Sequence, residues 1–213
     1  VFKILENLHI DSVDVLLVHN FAPSVAYKKI LIPALRRLQR YNIIGCYGIS
    51  VYYPAEIKSF LSEASGNIAI EFPLNLFDHR FLHDDYIGSL RSKGHLFFAR
   101  SVFLQGLFFL DERRLYGSLK KAMWHIKKLD DLSRSLNMGK EGIALQFVAG
   151  RDWLSGFVLG VDSKEQLRKN IEWINECNPR DFKRIEELIS DLELNEEDII
   201  LPFKWATGQR GHE

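Results

Sequence analysis

Short, unbroken apolar runs, each followed by a helical pattern, constrain this chain more than any other feature. Asp14-Val-Leu-Leu-Val-His19, Ile43-Ile-Gly-Cys-Tyr-Gly-Ile49, Ile68-Ala-Ile-Glu-Phe72 and His95-Leu-Phe-Phe-Ala99 show little alternation of polar and apolar residues. Each therefore suits a strand buried on both faces, as in a parallel sheet. Between them Leu31, Leu35 and Leu38 oppose Lys28, Lys29, Arg36, Arg37 and Arg40, and Ile57, Phe60, Leu61 and Ala64 follow Pro54 at i, i+3, i+4, i+7. Strand starts at 14, 44, 68 and 95 lie 30, 24 and 27 residues apart, which is the βα repeat length, about 31 where roughly 250 residues carry eight units. The pattern predicts strands over 14–19, 44–50, 68–72, 95–100 and 156–160. It predicts helices from Ser24, over 84–93, over 117–150 with a break near Gly139, and from Ser163 to Ile174. Residues 181–205 read as a C-terminal helix and an extended tail. No linker interrupts 1–213, so a single domain is expected. Five βα units form either an open doubly wound sheet or the last five-eighths of a barrel, and periodicity leaves both open.

Composition narrows the function classes. Lys+Arg is 28 and Asp+Glu is 28 among 213 residues, a formal net charge of +0. That balance argues against a nucleic-acid partner and against a polybasic membrane patch. Hydrophobic residues at 46% and charged residues at 26% are ordinary globular usage rather than disorder. Cys46 and Cys177 stand apart with no CxxC or Cys/His spacing, so neither a disulfide framework nor a metal site is expected, and a reducing, cytoplasmic setting is the default. No apolar run reaches the roughly 18 residues of a membrane span. No G-x-G-x-x-G follows a strand and no P-loop motif occurs.

In a parallel sheet the chemistry collects at the C-terminal ends of the strands. Read in order, those ends carry His19, Ser50, Glu71, Arg100-Ser101 and Gly160. His19 closes a strand of hydrophobes and is suited to proton or carbonyl chemistry near neutral pH; taken alone, it is more often a buried, hydrogen-bonded histidine. Ser163 three residues before Gln166 is a helix capping box. The same helix start, directly after a strand, offers free N–H groups to an anion. Ala99 to Gly106 is a strand running into a loop, readable as an apolar turn with one exposed arginine. The six other histidines, including His79, His83 and His125, show no ligand spacing.

Together these segments resemble the aldo-keto reductase family. The matching stretches are Asp14-Val-Leu-Leu-Val-His19, Gly45-Cys-Tyr-Gly-Ile-Ser50, Ile70-Glu-Phe-Pro-Leu-Asn-Leu-Phe-Asp78, Ala99-Arg-Ser-Val-Phe-Leu-Gln-Gly106 and Gly160-Val-Asp-Ser-Lys-Glu-Gln-Leu-Arg-Lys-Asn170, and the likeness runs out to Leu201-Pro-Phe-Lys-Trp205. It is closest in flavour to bacterial members associated with surface carbohydrate. The implied fold is a (β/α)8 TIM barrel of which strands 4–8, the C-terminal helix and the tail lie in this sequence and strands 1–3 do not. The implied reaction is hydride transfer between NAD(P)H and an aldehyde or ketone, with a small-molecule carbonyl as substrate. An oligomer is compatible with the pattern.

The resemblance also implies residue roles. Of the family's catalytic Asp, Tyr, Lys and His, only the His has a match, at His19, where it would orient and polarise the carbonyl. The others lie on the first three strands, so about 80–100 residues of the pattern are missing and the chain is expected to be a truncated one. Ser50 matches the serine that meets the nicotinamide amide, with Val51 where many members have Asn. Glu71 matches a glutamine that binds the same amide. Ser101, Phe103, Gln105 and Gly106 fall in the pyrophosphate loop, Gly160 and Ser163 at the start of the adenosine segment, and Gln166 and Asn170 around the adenosine. Asp162 stands where NADP users often carry a small hydroxyl, which favours NAD over NADP. Two functions follow: a carbonyl oxidoreductase that is inactive as this chain alone, or a non-catalytic barrel remnant that binds a partner or a nucleotide.

Overall fold

The computed structural model describes residues 1–19 and 27–205, and these group into two compact units. The helix start expected at Ser24 lies outside the described residues.

The first unit comprises Val1–Phe72 and Phe81–Phe98. It opens with α1 (Phe2–Leu8), in which only Leu5 of the apolar stripe is buried, Phe2 and Leu8 being 67% and 56% exposed. Strands β1 (Val13–Val18), β2 (Ile44–Ser50) and β3 (Ala69–Pro73) follow, with α2 (Lys28–Arg40) and α3 (Pro54–Leu61) between them. β1 pairs with β2 and β2 with β3, both parallel, in the registers Leu17↔Gly48 and Ser50↔Glu71. The expected alternation of strand and helix is therefore present, within one or two residues at each end. Gly48 explains how closely β2 and β3 approach: a Cβ there would sit 1.7 Å from the Ala69 carbonyl oxygen, so no other residue fits. The β2 side chains Tyr47 and Ile49 are fully buried. Tyr47 meets Phe60 edge-on at 6.3 Å, and Phe72 stacks on Phe81 at 4.7 Å. The helix expected over 84–93 is α4 (Asp85–Leu90) continued by a 3₁₀ turn to Lys93. Asp84 caps it by accepting the Ile87 N–H at 2.9 Å.

β4 (Leu96–Arg100) begins in the first unit and ends in the second, which comprises Pro73–Arg80 and Ala99–Glu213. In the second unit Val158 N–H donates to Ala99 O at 2.8 Å, next to β5 (Gly156–Phe157). The strand order is β1-β2-β3-β4-β5. The strand expected over 156–160 is shorter, two residues long, and the Val158 bond is its last rung on β4. Within this unit the 117–150 pattern resolves into a 3₁₀ segment, α5 (Met123–Leu136) and α6 (Lys140–Ala149), broken at Gly139 as expected. Seven consecutive residues of α6, Gly142–Val148, are buried, which fits a helix apolar all round. The unit continues with α7 (Lys164–Asn175) and α8 (Pro179–Leu188) and ends on short turns to Trp205. Buried Arg151 lies between the rings of Phe147 and Phe182, 3.9 and 5.2 Å from their centres, with Nη2 donating to Glu186 at 3.0 Å.

Candidate functional site

The first unit carries three of the expected site residues. His19 directly follows β1 and is exposed, so the alternative of a buried, satisfied histidine does not apply. Ser50 ends β2 at 5% exposure. It is register partner to half-buried Glu71 on β3, and the next N–H, that of Val51, donates to Glu71 O at 2.9 Å. The strand pairing fixes Ser50 and Glu71 side by side; the β2–α3 turn then departs from this point. That turn is held by the Glu56 carboxylate, which accepts from the N–H groups of Tyr52 and Tyr53 at 2.8 Å each.

The second unit carries the rest, on two segments. In the loop after β4, Ser101, Leu104 and Gln105 hold φ of 58°, 45° and 52°, and Gly106 has 82°. Left-handed backbone costs about 1–2 kcal/mol per non-glycine residue, and strain of this kind concentrates where a ligand is handled. The Arg100 Nη1 donates to Ser101 Oγ at 3.3 Å. Such successive turns also present backbone N–H groups as an anion cradle.

The other segment is the start of α7. Ser163 Oγ accepts from Gln166 N–H at 3.1 Å, and Gln166 Oε1 accepts from Asp162 N–H at 2.7 Å. The capping box read from the sequence is therefore present. Its occupied donors leave fewer for an anion than an uncapped helix start would. Gly160 is exposed, and a Cβ there would meet nothing within 4 Å, so no close approach demands glycine.

A cavity of about 660 Å³ lies within this unit, in the size range of ligand pockets. Phe103, Ser163, Gln166 and Asn170 line it; Ser101, Gln105, Gly106, Gly160 and Asp162 do not. The sequence reasoning missed several of its walls, notably Trp173, Glu141, Glu165 and Phe109. A signal was there: Trp173 continues the Gln166–Asn170 stripe one turn further along the helix. Trp173 reaches its place because Gly142 has no side chain; a Cβ there would lie 2.7 Å from the indole. Phe103 and Phe109 face each other at 5.9 Å. Asn170 is 3% exposed and its Nδ2 has no hydrogen-bond partner. A buried donor without an acceptor costs about 1–3 kcal/mol, so a ligand acceptor at this wall would relieve it. Aromatic walls with one orphan donor fit a planar, acceptor-bearing ring such as a purine.

The model of the aldo/keto reductase family matches residues 1–190. Comparison with curated proteins gives no match. Among solved structures, the apo form of aldo-keto reductase AKR11C1 from Bacillus halodurans superposes with a TM-score of 0.75 at 21% identity, covering 92% of this chain and 68% of that one. Its holo form gives 0.74 at 20% identity, with 92% and 67% covered. A thermostable aldo-keto reductase, Tm1743, in complex with the inhibitor epalrestat gives 0.66 at 18%, with 86% and 62% covered. At these identities the likeness shows the fold: part of a (β/α)8 barrel.

Proposed function

The chain belongs to the aldo/keto reductase family, and we propose that it serves an NAD(P)H-dependent oxidoreductase acting on an aldehyde or ketone, with a sugar-related carbonyl as the substrate class. The observation that carries the reading is the cavity of the second unit, where buried Asn170 holds an unpartnered Nδ2 beside the capped start of α7. Asn170, Gln166 and Ser163 would hold the adenosine of the dinucleotide, and the Ser101–Gly106 loop its pyrophosphate. The bound nicotinamide supplies the hydride.

In the first unit Ser50 and Glu71 are the residues for the nicotinamide amide. A carboxylate at 71 can accept from its NH2 group, against a desolvation cost. His19 would polarise the carbonyl through a ring N–H, for which exposure to solvent before substrate arrives is no obstacle. Asp162, exposed before the helix, favours NAD over NADP.

Among these 213 residues the resemblance assigns only His19 to the catalytic group. General acid catalysis is commonly worth about 10²–10⁴-fold, so the second reading, a chain that binds nucleotide or a partner without turnover, applies to it in isolation. Calorimetric titration of NADH and NADPH into the protein tests the first part: binding that Asn170→Leu weakens at least tenfold supports it, and no heat from either cofactor overturns it. Carbonyl turnover by the mass-verified 213-residue chain would overturn the second.

A further inference from the structure

We propose that Glu56 is a positioning residue for the nicotinamide end of the site: its carboxylate, acting through the backbone of Tyr52 and Tyr53, holds the turn that follows Ser50. The inference rests on the dinucleotide reading above and deepens it in the first unit.

The sheet stops guiding the chain at this point. Ser50 is the last register partner on β3, paired with Glu71, and the Val51 N–H bond to Glu71 O at 2.9 Å follows it. Val51 is 1% exposed, whereas Tyr52 and Tyr53 beyond it are half-buried. From Tyr52 onward the turn has to supply its own order.

The helix start offers little for that purpose. Pro54, the first residue of α3, has no N–H, and Tyr53 stands at the N-cap position without a side-chain cap bond. Ser, Thr, Asp or Asn would ordinarily accept there from the first turn. Glu56 acts instead from inside the helix. Its Oε2 accepts from Tyr52 N–H and from Tyr53 N–H at 2.8 Å each, while Glu56 N–H donates to Tyr53 O at 3.1 Å. One ionised oxygen thus meets two backbone donors, and such charge-assisted bonds are roughly twice as strong as neutral ones. The charge also lies in the first turn of α3, where the helix dipole favours it.

Without this carboxylate both half-buried donors would lose their acceptor, and the turn would shift to let water reach them. Ser50 lies two residues before Tyr52. A binding group has to be held within about 0.5 Å of its productive place, so a shift of the turn should be felt by a carboxamide at Ser50 and Glu71. The adenosine, held by Asn170, Gln166 and Ser163 in the proposed reading, depends on none of these bonds. The effect of Glu56 should therefore fall on the nicotinamide alone.

Titration calorimetry of the 213-residue chain with NADH and with ADP-ribose, which carries everything but the nicotinamide, separates the two ends. The unsubstituted chain is expected to bind NADH about tenfold more tightly than ADP-ribose. Glu56→Ala should weaken NADH about tenfold and ADP-ribose less than about twofold, bringing the ratio near unity. Glu56→Gln keeps an acceptor at the same reach and should hold the ratio within about threefold of its starting value. Glu56→Asp keeps the charge on a shorter stem and should lose most of the ratio. A melting curve on each variant confirms folding, and Glu56→Asp serves as the test where Glu56→Ala does not fold. A ratio unmoved by both, or equal weakening of the two ligands, overturns the role of Glu56 and leaves it a helix cap. Equal binding of NADH and ADP-ribose by the unsubstituted chain overturns the placement of nicotinamide at Ser50 and Glu71, and the inference with it. Absence of binding by either ligand would instead overturn the dinucleotide reading itself.

Discussion

The two compact units treat their polar backbone and side chains differently. In the first, β1, β2 and β3 hydrogen-bond to one another in parallel register, and the non-glycine left-handed residues His9 and Asn42 stand at or just past helix ends. In the second, Ser101, Leu104 and Gln105 hold left-handed φ within a loop, and the buried amides of Asn75, Gln146 and Asn170 each keep one atom without a partner. The second leaves strain in the loop after β4 and one unmet donor, Asn170 Nδ2, at a cavity wall, where a ligand would return the cost.

Two glycines give the largest tests of that contrast. In the first unit, Gly48→Ala would push a Cβ to 1.7 Å from the Ala69 carbonyl. Backbone cannot yield there without parting β2 from β3, so a loss of roughly 3 kcal/mol or more is expected in urea unfolding. An unchanged midpoint would break the register described here. In the second unit, Gly142→Ala would bring its Cβ to 2.7 Å from the Trp173 ring. A side chain on a cavity wall can swing away. A smaller loss, about 1–2 kcal/mol, is expected, together with a changed indole emission and weaker nucleotide binding. If both glycines cost the same and emission is unmoved, the cavity wall is as rigid as the sheet and the contrast fails.

This difference also sets what was legible in the sequence. Buried parallel strands are written as apolar runs, and β1 to β4 fall within one or two residues of those runs, although β1 is only half-buried and β4 buries alternate residues. The helix break at Gly139 and the Ser163/Gln166 cap were legible because local chemistry determines them. The cavity was not. Phe103, Asn170 and Trp173 come from loops and helices whose mutual facing depends on packing, and Gly142 signals nothing until Trp173 is seen lying over it. The loop at 101–106 reads as apolar, yet its backbone conformation is the informative part. Residue roles at His19, Ser50 and Glu71 came from resemblance alone; the structure fixes their exposure and pairing, and binding experiments carry the rest.

Helix caps should erase the contrast, since they depend on neither unit's packing. Asp84 accepts from Ile87 N–H at 2.9 Å in the first unit, and Asn178 accepts from Asp181 N–H at 3.0 Å in the second. Asp84→Ala and Asn178→Ala should each cost about 1 kcal/mol in chemical denaturation. A much larger loss at either position would mean that its unit unfolds from that helix end, and the comparison would sharpen into one of local cooperativity.

The smallest expected effect is a pH dependence with one histidine in each unit. Burial pushes the pKa of His95 below the ordinary value of 6.5, and the Lys93 ammonium adds to the shift. Its Nδ1 accepts from Ile68 N–H at 3.2 Å, a bond that protonation of Nδ1 would remove. Burial also lowers His125, with Lys128 acting in the same direction and Glu196 opposing both; its ring meets Phe77 and Trp124. For both groups the folded pKa lies below the unfolded one, so the unfolded chain binds more protons as acid is added. Their contribution to stability is whole above about pH 6.5 and falls as pH drops through the folded values. Both groups are partly exposed, so solvent keeps the effect small. Histidine ring NMR should show both titrating below 6.5, with the Ile68 amide moving in step with His95 and the Trp124 indole in step with His125. A His95 titration at or above 6.5 would break the hydrogen bond that ties Ile68 to it, while His125 reports on the second unit separately. Glu196→Gln sharpens the test further: removing the one group that raises His125 should lower its pKa and leave His95 where it was.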